Sequence, residues 1–450
     1  MKRLRMAILF PMVVTLWTHA LAAKPPEDEA ASDSTPALGS PEKAQSDDEL
    51  TGNWGGLRDQ LKDDGIKFEI GYKAEAAANL SGGTRRMATE VGQLDLGVTL
   101  DLSKIAGIDG ATIQSSITKR NGPSLNTRAG LNFLEEPQET YGRGQTWRWT
   151  ELWYQQRLDN DHIIFKIGRL AGGEFNNWGC DFTSLAFCGS QVGTTNTYLW
   201  YNWPIAEWGG WIKLRNDHFY IHTGINEDNL QNLNTNFFAA KFSGARGIIA
   251  HGEAGWTPHF GGGRLAGYYQ AGFWYDTARY PDTLLDANGA VAALSGQPFA
   301  QRKGQTGFYV QFEQQLTGQA SVDPVSGLLK PKRGLTLGGN YEHGDPRTAT
   351  TLDALSLEML LTAPFAGRPH DQIGLAIGRS RVTARETYLA SVTDPSIGPR
   401  KTEYRAELFY RASVMRGVIV RPNIQYVSNP GGYSNRPSAT VIGIRTDIKL

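Results

Sequence analysis

The segment WRWTELWYQQR, residues 147–157, concentrates the residue types that bind sugars. A sugar ring has apolar C–H faces and a rim of hydroxyls, so a site for it needs aromatic plates beside charged or amide groups. Successive side chains of a strand face opposite sides. If this segment is a strand, the face opposite Leu152 carries Trp147, Trp149, Glu151, Trp153, Gln155 and Arg157.

We expect Trp149 and Trp153 to stack on a sugar while Glu151 and Arg157 bond to its hydroxyls. Three indoles beside a carboxylate and a guanidinium are hard to explain by packing alone. The alternative is that the alternation is reversed, so that the indoles belong to an aromatic belt at a membrane interface. Trp147 fits that alternative better than the other two.

Charged side chains recur on the polar faces of other alternating segments. Their signs are mixed, which hydrates a channel without a strong field, whereas a strongly cationic lining would select anions. For any one of them the alternative is a solvated wall charge that touches no solute. The candidates for the channel lining are Glu69, Lys73, Asp95, Arg120, Lys166, Arg169, Glu403, Arg405, Glu407 and Arg445.

Cys180 and Cys188 are the two cysteines of the chain. In an oxidising compartment two nearby cysteines are expected to pair. The ring would be small, so its closure would contribute only about 2.5 kcal/mol, and we expect the bond to shape a loop. A zinc site usually needs four ligands, and no histidine or further cysteine clusters nearby, so no metal is expected.

The residue types needed for catalysis do not form a recognisable constellation. The sequence has no phosphate-binding G-x-x-x-x-G-K-[ST] and no G-x-S-x-G elbow, and its eight histidines are scattered. Adjacent acids such as Glu135 and Glu136 do not make a glycosidase pair. We therefore expect neither an enzyme nor a cofactor. With 45 basic and 45 acidic residues, the chain also lacks the basic excess of a nucleic-acid partner.

These side chains sit in segments that alternate apolar and polar residues, which is typical of strands. QLDLGVTLDL and KFEIGYKAEA, for example, place one apolar face opposite one charged face. A soluble sandwich gives the same alternation. The length of the segments, ten residues or more, and the charges of both signs on the polar faces favour a membrane barrel. Counting them predicts an all-β, transmembrane, antiparallel up-and-down β-barrel of about 16 strands.

The connections between these segments alternate between short and long. Tight turns are expected at residues 159–161 and 216–217, and long segments run over 121–146 and 171–197. Short periplasmic turns and long outer loops are the usual asymmetry of an outer-membrane barrel. A barrel of this size leaves an aqueous channel.

The N-terminus predicts export. Lys2, Arg3 and Arg5 precede an apolar run and the cleavage site Ala20-Leu21-Ala22, which is the pattern of a signal peptide over residues 1–23. The run is too short to span a bilayer. Residues 24–50 are rich in Pro, Ser and acids and predict a disordered linker. The barrel is expected over residues 51–450.

Four motifs make the chain resemble the carbohydrate-selective porins of the OprB type. They are TGNWGGLRDQLKDDGIKFEIGYKAEAAANLSGG, ELWYQQRLDNDHIIFKIGRLAGGEFNNWGCDFTSLAFCGSQ, FAGRPHDQIGLAIGRSRV and RPNIQYVSNPGG. The first contains a short amphipathic helix before the first strand, and the match runs in register from about Thr51 to Leu450. The chain ends in Leu450, where outer-membrane barrels usually have an aromatic residue.

The resemblance implies passive diffusion of monosaccharides, glucose especially, across a bacterial outer membrane. The competing interpretation is a porin of general, anion or organic-acid selectivity. More distant alternatives are an exported carbohydrate-binding β-protein or an outer-membrane hydrolase. The expected partners are small sugars, outer-membrane lipid and the barrel assembly machinery, and a homotrimer is left open.

Overall fold

The computed structural model describes residues 49–171, 174–176, 181–187, 202–323, 328–396 and 398–450. The expected signal peptide, nearly all of the acidic linker, and both cysteines lie outside the described residues. The cleavage site, the disorder of the linker and the disulfide therefore stay predictions.

The described residues form a single antiparallel sheet that closes on itself. β1 pairs with β18, and the short strands β9 and β12 are side pairings of β10 and β13, so 16 strands make the closed barrel. The predicted fold class is confirmed. The strands are β1 Ile66–Ser81, β2 Ala88–Asp101, β3 Ala111–Asn121, β4 Trp147–Leu158, β5 Ile163–Ala171, β6 Ala206–Arg215, β7 Phe219–Asp228, β8 Gly247–Trp256, β9 His259–Phe260, β10 Leu265–Asp286, β11 Phe299–Gln315, β12 Gln319–Val322, β13 Leu329–His343, β14 Thr351–Thr362, β15 Gln372–Val382, β16 Thr402–Met415, β17 Val418–Ser428 and β18 Ala439–Lys449.

The helices are short and lie in the connections. Before the first strand comes the expected N-terminal helix, α1. Within the described part of the chain, no helix is long and apolar enough to cross a membrane. The helices are α1 Leu57–Asp63, α2 Leu102–Ala106, α3 Leu125–Ala129, α4 Ala292–Ser295 and α5 Ala384–Thr393, with 3-10 turns at Trp54–Gly56, Leu185–Phe187, Leu230–Leu233 and Pro430–Gly432.

Alternation along the strands separates an apolar outer face from a polar inner face. On β7, Ile221 and Ile225 are more than half exposed on the outside, while His222 between them is buried on the inside. Phe219 of β7 stacks on Trp256 of β8 at one end of the barrel, where an interfacial aromatic belt is expected. The outer face is therefore suited to lipid.

Connections at this end of the barrel are short, such as residues 159–162 and 216–218. At the other end four long loops follow β3, β5, β7 and β15. We name them L2 (residues 122–146), L3 (172–205, described in part), L4 (229–246) and L7 (383–401). The expected asymmetry places the long loops on the cell exterior.

Glycines on the inner wall let large aromatic rings lie flat along it. The Tyr220 ring covers Gly255 of the neighbouring strand, where an added Cβ would come within 1.9 Å of the ring. Tyr309 covers Gly272 in the same way, at 2.3 Å. Because no side chain fits at these two glycines, the rings add to the wall without projecting far into the channel.

The first and last strands meet at a seam closed by the chain termini. The Leu450 backbone N–H donates to the carbonyl oxygen of Ile70 at 2.9 Å, and the Leu50 N–H donates to that of Lys449 at 2.8 Å. Arg58 of α1 donates to the oxygen of Leu450 at 2.9 Å. These contacts of Leu450 use its backbone atoms, so they do not require an aromatic side chain at this position.

Candidate functional site

Loop L2 folds into the barrel and is anchored on Glu75 of β1. The Glu75 carboxylate is fully buried and accepts a hydrogen bond from the Thr140 backbone N–H at 3.0 Å. The side-chain amide of Gln138 donates to the Glu75 carbonyl oxygen at 2.6 Å. Alternation turns the Glu75 side chain inward, away from lipid. There it binds the backbone of L2 and fixes the position of the loop.

Further contacts hold L2 against the wall formed by β16 and β17. Arg405 donates to the carbonyl oxygen of Glu135 at 2.9 Å, and Gln425 donates to that of Pro137 at 2.8 Å. Glu403 accepts from the Leu134 N–H at 2.9 Å. The loop therefore lies along the inner wall from β16 and β17 across to β1 and β3.

Loop L3 is anchored on the opposite wall through Phe175. Its ring lies between the imidazoles of His222 and His251, with centroids 3.9 and 4.6 Å away and nearly parallel planes. The adjacent Asn176 N–H donates to the Glu253 carboxylate at 3.0 Å. An aromatic sandwich and a charged hydrogen bond together fix the beginning of the loop.

The same loop then reaches the wall that carries L2. The Thr183 and Ser184 N–H groups donate to the two oxygens of Glu407 at 2.7 and 2.8 Å. Glu139 of L2 donates its backbone N–H to the Thr183 carbonyl oxygen at 2.8 Å. L2 and L3 are thus hydrogen-bonded to each other and to both walls. Because both loops lie inside the barrel, they narrow its channel.

The narrowed part is bordered by a group of charged side chains that we call the eyelet. Glu139 of L2 lies 3.8 Å from Arg120 of β3 and 3.5 Å from Arg445 of β18. Arg445 also donates to Asp447 at 3.1 Å. The members of the eyelet are Lys73, Asp95, Arg120, Glu139, Arg445 and Asp447.

The eyelet pairs its charges across strands. Lys73 is paired with Asp447 in the β1–β18 register. The pair Glu75 and Arg445 follows two residues farther along β1, on the same face. Asp95 accepts from Thr118 at 3.0 Å and from Gln93, which in turn accepts from Arg120 at 2.6 Å. The eyelet therefore places three basic and three acidic groups side by side on β18, β1, β2, β3 and L2.

Glu139 remains ionised inside this group. Burial raises the pKa of its carboxyl, but Lys73, Arg445 and Arg120 more than offset that effect and hold the pKa below its usual range. At neutral pH its charge, together with that of Asp447, balances the two buried guanidiniums. The arrangement can offer hydrogen-bond donors and acceptors to a polar solute while presenting little net field.

Comparisons with known proteins agree with this architecture. Residues 85–450 match the family described as carbohydrate-selective porin, OprB family. Porin B of Pseudomonas aeruginosa is 37% identical over 419 residues, covering 88% of this chain and 90% of that protein. The chain belongs to the OprB family of carbohydrate-selective porins.

Two further relatives of this OprB-family porin support the assignment. A putative porin, QuiX, of Acinetobacter baylyi is 32% identical over 429 residues, covering 88% of this chain and 91% of that protein. The solved high-pH structure of Pseudomonas putida OprB matches with a TM-score of 0.83 at 33% identity, covering 92% of this chain and all of that one. The outer-membrane location follows from the family and the closed barrel.

Several predicted lining residues of the porin lie on the inner face and are partly exposed. They include Glu69, Lys73 and Asp95 on the first two strands. Glu151 also faces inward and accepts from Ser116 at 3.0 Å. Arg157 lies near the short-turn end, where it binds Asp161 at 3.0 Å. Contact of any of them with sugar stays a prediction.

Trp149 does not share the inner face with Trp153, and that expectation is wrong. A β-bulge at Thr150 shifts the register between Ser116 and Ile117, so alternation reverses above it. The Trp149 indole donates to Ser115 on the outer row at 3.0 Å. The Trp149 ring packs edge-to-face on the exposed Phe238 of L4, with ring centroids 5.9 Å apart, and does not face the channel.

Trp153 faces inward, but its indole is not open to solute. The side chain is only 4% exposed, and the Lys166 ammonium lies 4.2 Å from the ring centroid. Lys166 is itself bound by Glu174 of L3 at 3.1 Å. The indole is therefore part of the packed wall beneath L3, and the expected stacking on a passing sugar is corrected.

Arg169 is the other residue whose position differs from the expectation. It pairs across the sheet with Leu152 and Trp208, which places it on the outer row. Its guanidinium donates to Asn232 of L4 at 3.1 Å and is 3% exposed. Alternation from the inward Lys166 gives this result directly, since the two residues differ by three positions.

The three late candidates face inward but serve the loops. Glu403, Arg405 and Glu407 are at most 5% exposed and bond to L2 or L3. They are anchors for the loops that narrow the porin's channel. Alternation predicted their face, and only the loop positions reveal their partners.

Sequence reasoning missed two members of the eyelet, Glu139 and Asp447. Asp447 lies two residues beyond Arg445 on the same face of β18, and strict alternation could have found it. Glu139 belongs to an irregular loop, whose side-chain directions no periodicity gives. The only local signal was the acidic cluster EEPQE in a long loop.

Proposed function

We propose that this porin carries small neutral monosaccharides, glucose among them, by passive diffusion and without catalysis or a cofactor. The observation that carries the proposal is the eyelet, in which every guanidinium has a carboxylate within 4 Å or an amide partner. A neutral polyol can exchange hydrogen bonds with such groups as it passes. Weak binding suits a channel, because a solute must leave as readily as it enters.

The competing proposal is selectivity for anions or organic acids. It rests on Lys73, a half-buried cation at the opening. Against it stands Asp447 directly across the strand pair, together with Glu139, which that lysine helps to keep ionised. A homotrimer, and recognition of the last strand by the assembly machinery, stay predictions.

Liposomes that contain the purified porin are expected to swell faster in glucose than in a disaccharide of the same osmolarity. A neutral sugar should also block ion current weakly, while gluconate should pass no faster than glucose because the eyelet has little net field. Swelling rates and single-channel recordings measure both. Gluconate passing several-fold faster than glucose would favour the competing proposal.

The ion selectivity of the channel is expected to depend on pH through Glu139. Because the folded pKa lies below the ordinary Glu range, of about 4.3, the charge and the docking energy it supplies persist from neutral pH down to that range. They are lost as pH falls through the lowered pKa, and Arg120 and Arg445 are then unbalanced. Reversal potentials should shift toward anions only below about pH 4.

The matched variants for this experiment are Glu139→Gln and Glu90→Gln. The first removes the eyelet charge and should give anion preference already at pH 7. The second removes an exposed charge on the outer row of β2 and should behave like the native porin. Reversal potentials of Glu139→Gln at pH 7 that equal those of the native porin would contradict this account.

A further inference from the structure

Four basic residues stand on the outer wall of the barrel, away from the channel, in two pairs that β13 and β14 separate. Arg279 of β10 and Lys303 of β11 are exposed and paired directly across the strands. Arg379 and Arg381 of β15 are 29% and 47% exposed. We call these four residues the outer basic patch.

Alternation shows that the patch faces outward. Arg279 continues the row of Phe273 and Tyr275, which are 62% and 46% exposed. Arg379 and Arg381 continue the row of Ile377, which is 54% exposed. Basic side chains therefore stand immediately beyond the apolar residues that face lipid.

The height of the patch matches the headgroups of the outer leaflet. Tyr269 packs with Trp256 at the short-turn end of the apolar band, and Arg279 lies ten residues farther along β10. At about 3.3 Å per residue and a tilt of about 40°, this is roughly 25 Å along the barrel axis. Arg381 lies eight residues beyond Ile373, roughly 20 Å by the same measure. The first height equals that of an apolar band of about 25 Å, and the second falls about 5 Å short of its outer edge.

A buried carboxylate prepares part of this patch for an anion. Asp353 is fully buried on the same outer row and accepts from Arg379 at 2.6 Å and from Nε of Arg381 at 2.8 Å. It holds two guanidiniums side by side, and both side chains stay partly exposed. Four positive charges against this one carboxylate leave a net charge of plus three.

We propose that the outer basic patch binds the phosphate groups of a phosphorylated lipid in the outer leaflet. Charge complementarity at headgroup depth selects the lipid, because a guanidinium pair matches phosphate geometry and an aromatic row below it matches the acyl boundary.

The test is lipid binding by the full chain in a neutral detergent, measured by native mass spectrometry. The probes are lipid A with both phosphates, dephosphorylated lipid A and inorganic phosphate. We expect bisphosphorylated lipid A to bind about 25-fold more weakly to the double variant Arg279→Gln/Lys303→Gln, since each surface cation contributes about a factor of five. Both side chains are exposed, so the barrel should stay folded, and glucose flux should be unchanged.

The matched control is Lys332→Gln/Arg333→Gln, which removes two exposed charges at the opposite end of β13. It should bind bisphosphorylated lipid A like the native chain. Equal binding of dephosphorylated lipid A, full competition by millimolar inorganic phosphate, or an equal loss in the control would overturn the proposal. So would a lipid-free dimer that the Arg279→Gln/Lys303→Gln variant dissolves, because the patch would then be a protein interface.

Discussion

The Glu75→Ala variant is expected to open the channel, with a several-fold rise in single-channel conductance and loss of glucose block. The substitution removes the carboxylate that accepts from Thr140 at 3.0 Å and lies 3.6 Å from Arg445. Breaking one side of a buried, hydrogen-bonded charge pair costs about 3–5 kcal/mol. Most of that cost falls on the docking of L2, which brings Glu139 to the eyelet. Planar-bilayer recordings with and without glucose measure the result.

Glu69→Ala is the matched control for that experiment. Glu69 lies six residues earlier on the same face of the same strand and is partly exposed to the channel. Its loss should change conductance far less, because it does not fix L2. If Glu75→Ala leaves conductance and glucose block as in the native porin, L2 does not depend on that carboxylate.

Phe175→Ala is expected to release the beginning of L3 and to lower the free energy of unfolding by about 3–5 kcal/mol. The ring is 2% exposed and fills the space between two imidazoles, so its removal leaves a cavity that rigid strands cannot close. Heat-modifiable gel migration at rising temperature reports the stability. Limited proteolysis within L3 reports the release.

Phe238→Ala provides the comparison for this second variant. Phe238 belongs to L4 and is 68% exposed, so its truncation should change the unfolding temperature little. A native protease pattern for Phe175→Ala would show that Asn176 and Glu407 alone hold the loop. A similar loss of stability in both variants would assign the effect to aromatic content and not to the sandwich.

Strand alternation predicted the barrel and the face of most candidates, because lipid enforces one polarity per face. Glu69, Lys73, Asp95 and Glu151 all stand on the expected side. The failure at Trp149 has a local cause, since one extra residue at Thr150 reverses the alternation above it. The bulge leaves no mark in the sequence pattern, because tryptophans continue at even spacing across it, with Trp149 before it and Trp153 after it.

The narrowing of the channel could not be predicted from the pattern, because it depends on contacts between distant segments. Glu407 accepts hydrogen bonds from Thr183 and Ser184, which lie more than 220 positions earlier in the chain. The residue spacing in neither segment predicts this contact. The sequence marks both long loops by length and composition. Whether such a loop extends outward or folds inward depends on buried carboxylates of the wall that accept its backbone N–H groups, such as Glu75 and Glu407.

The pairing of β1 with β18 has a consequence for the folding and membrane insertion of the barrel. Arg58 and Leu450 are 392 positions apart, so the contact that completes the ring joins nearly the first and the last residues of the barrel. Pairing of such distant segments carries a large loop-closure entropy, and it can form only after β18 has been synthesised. A chain shortened by its last strand would leave two unpaired edges facing hydrocarbon, which a membrane does not tolerate. Stable insertion of the barrel in a membrane therefore requires that β18 is present to pair with β1.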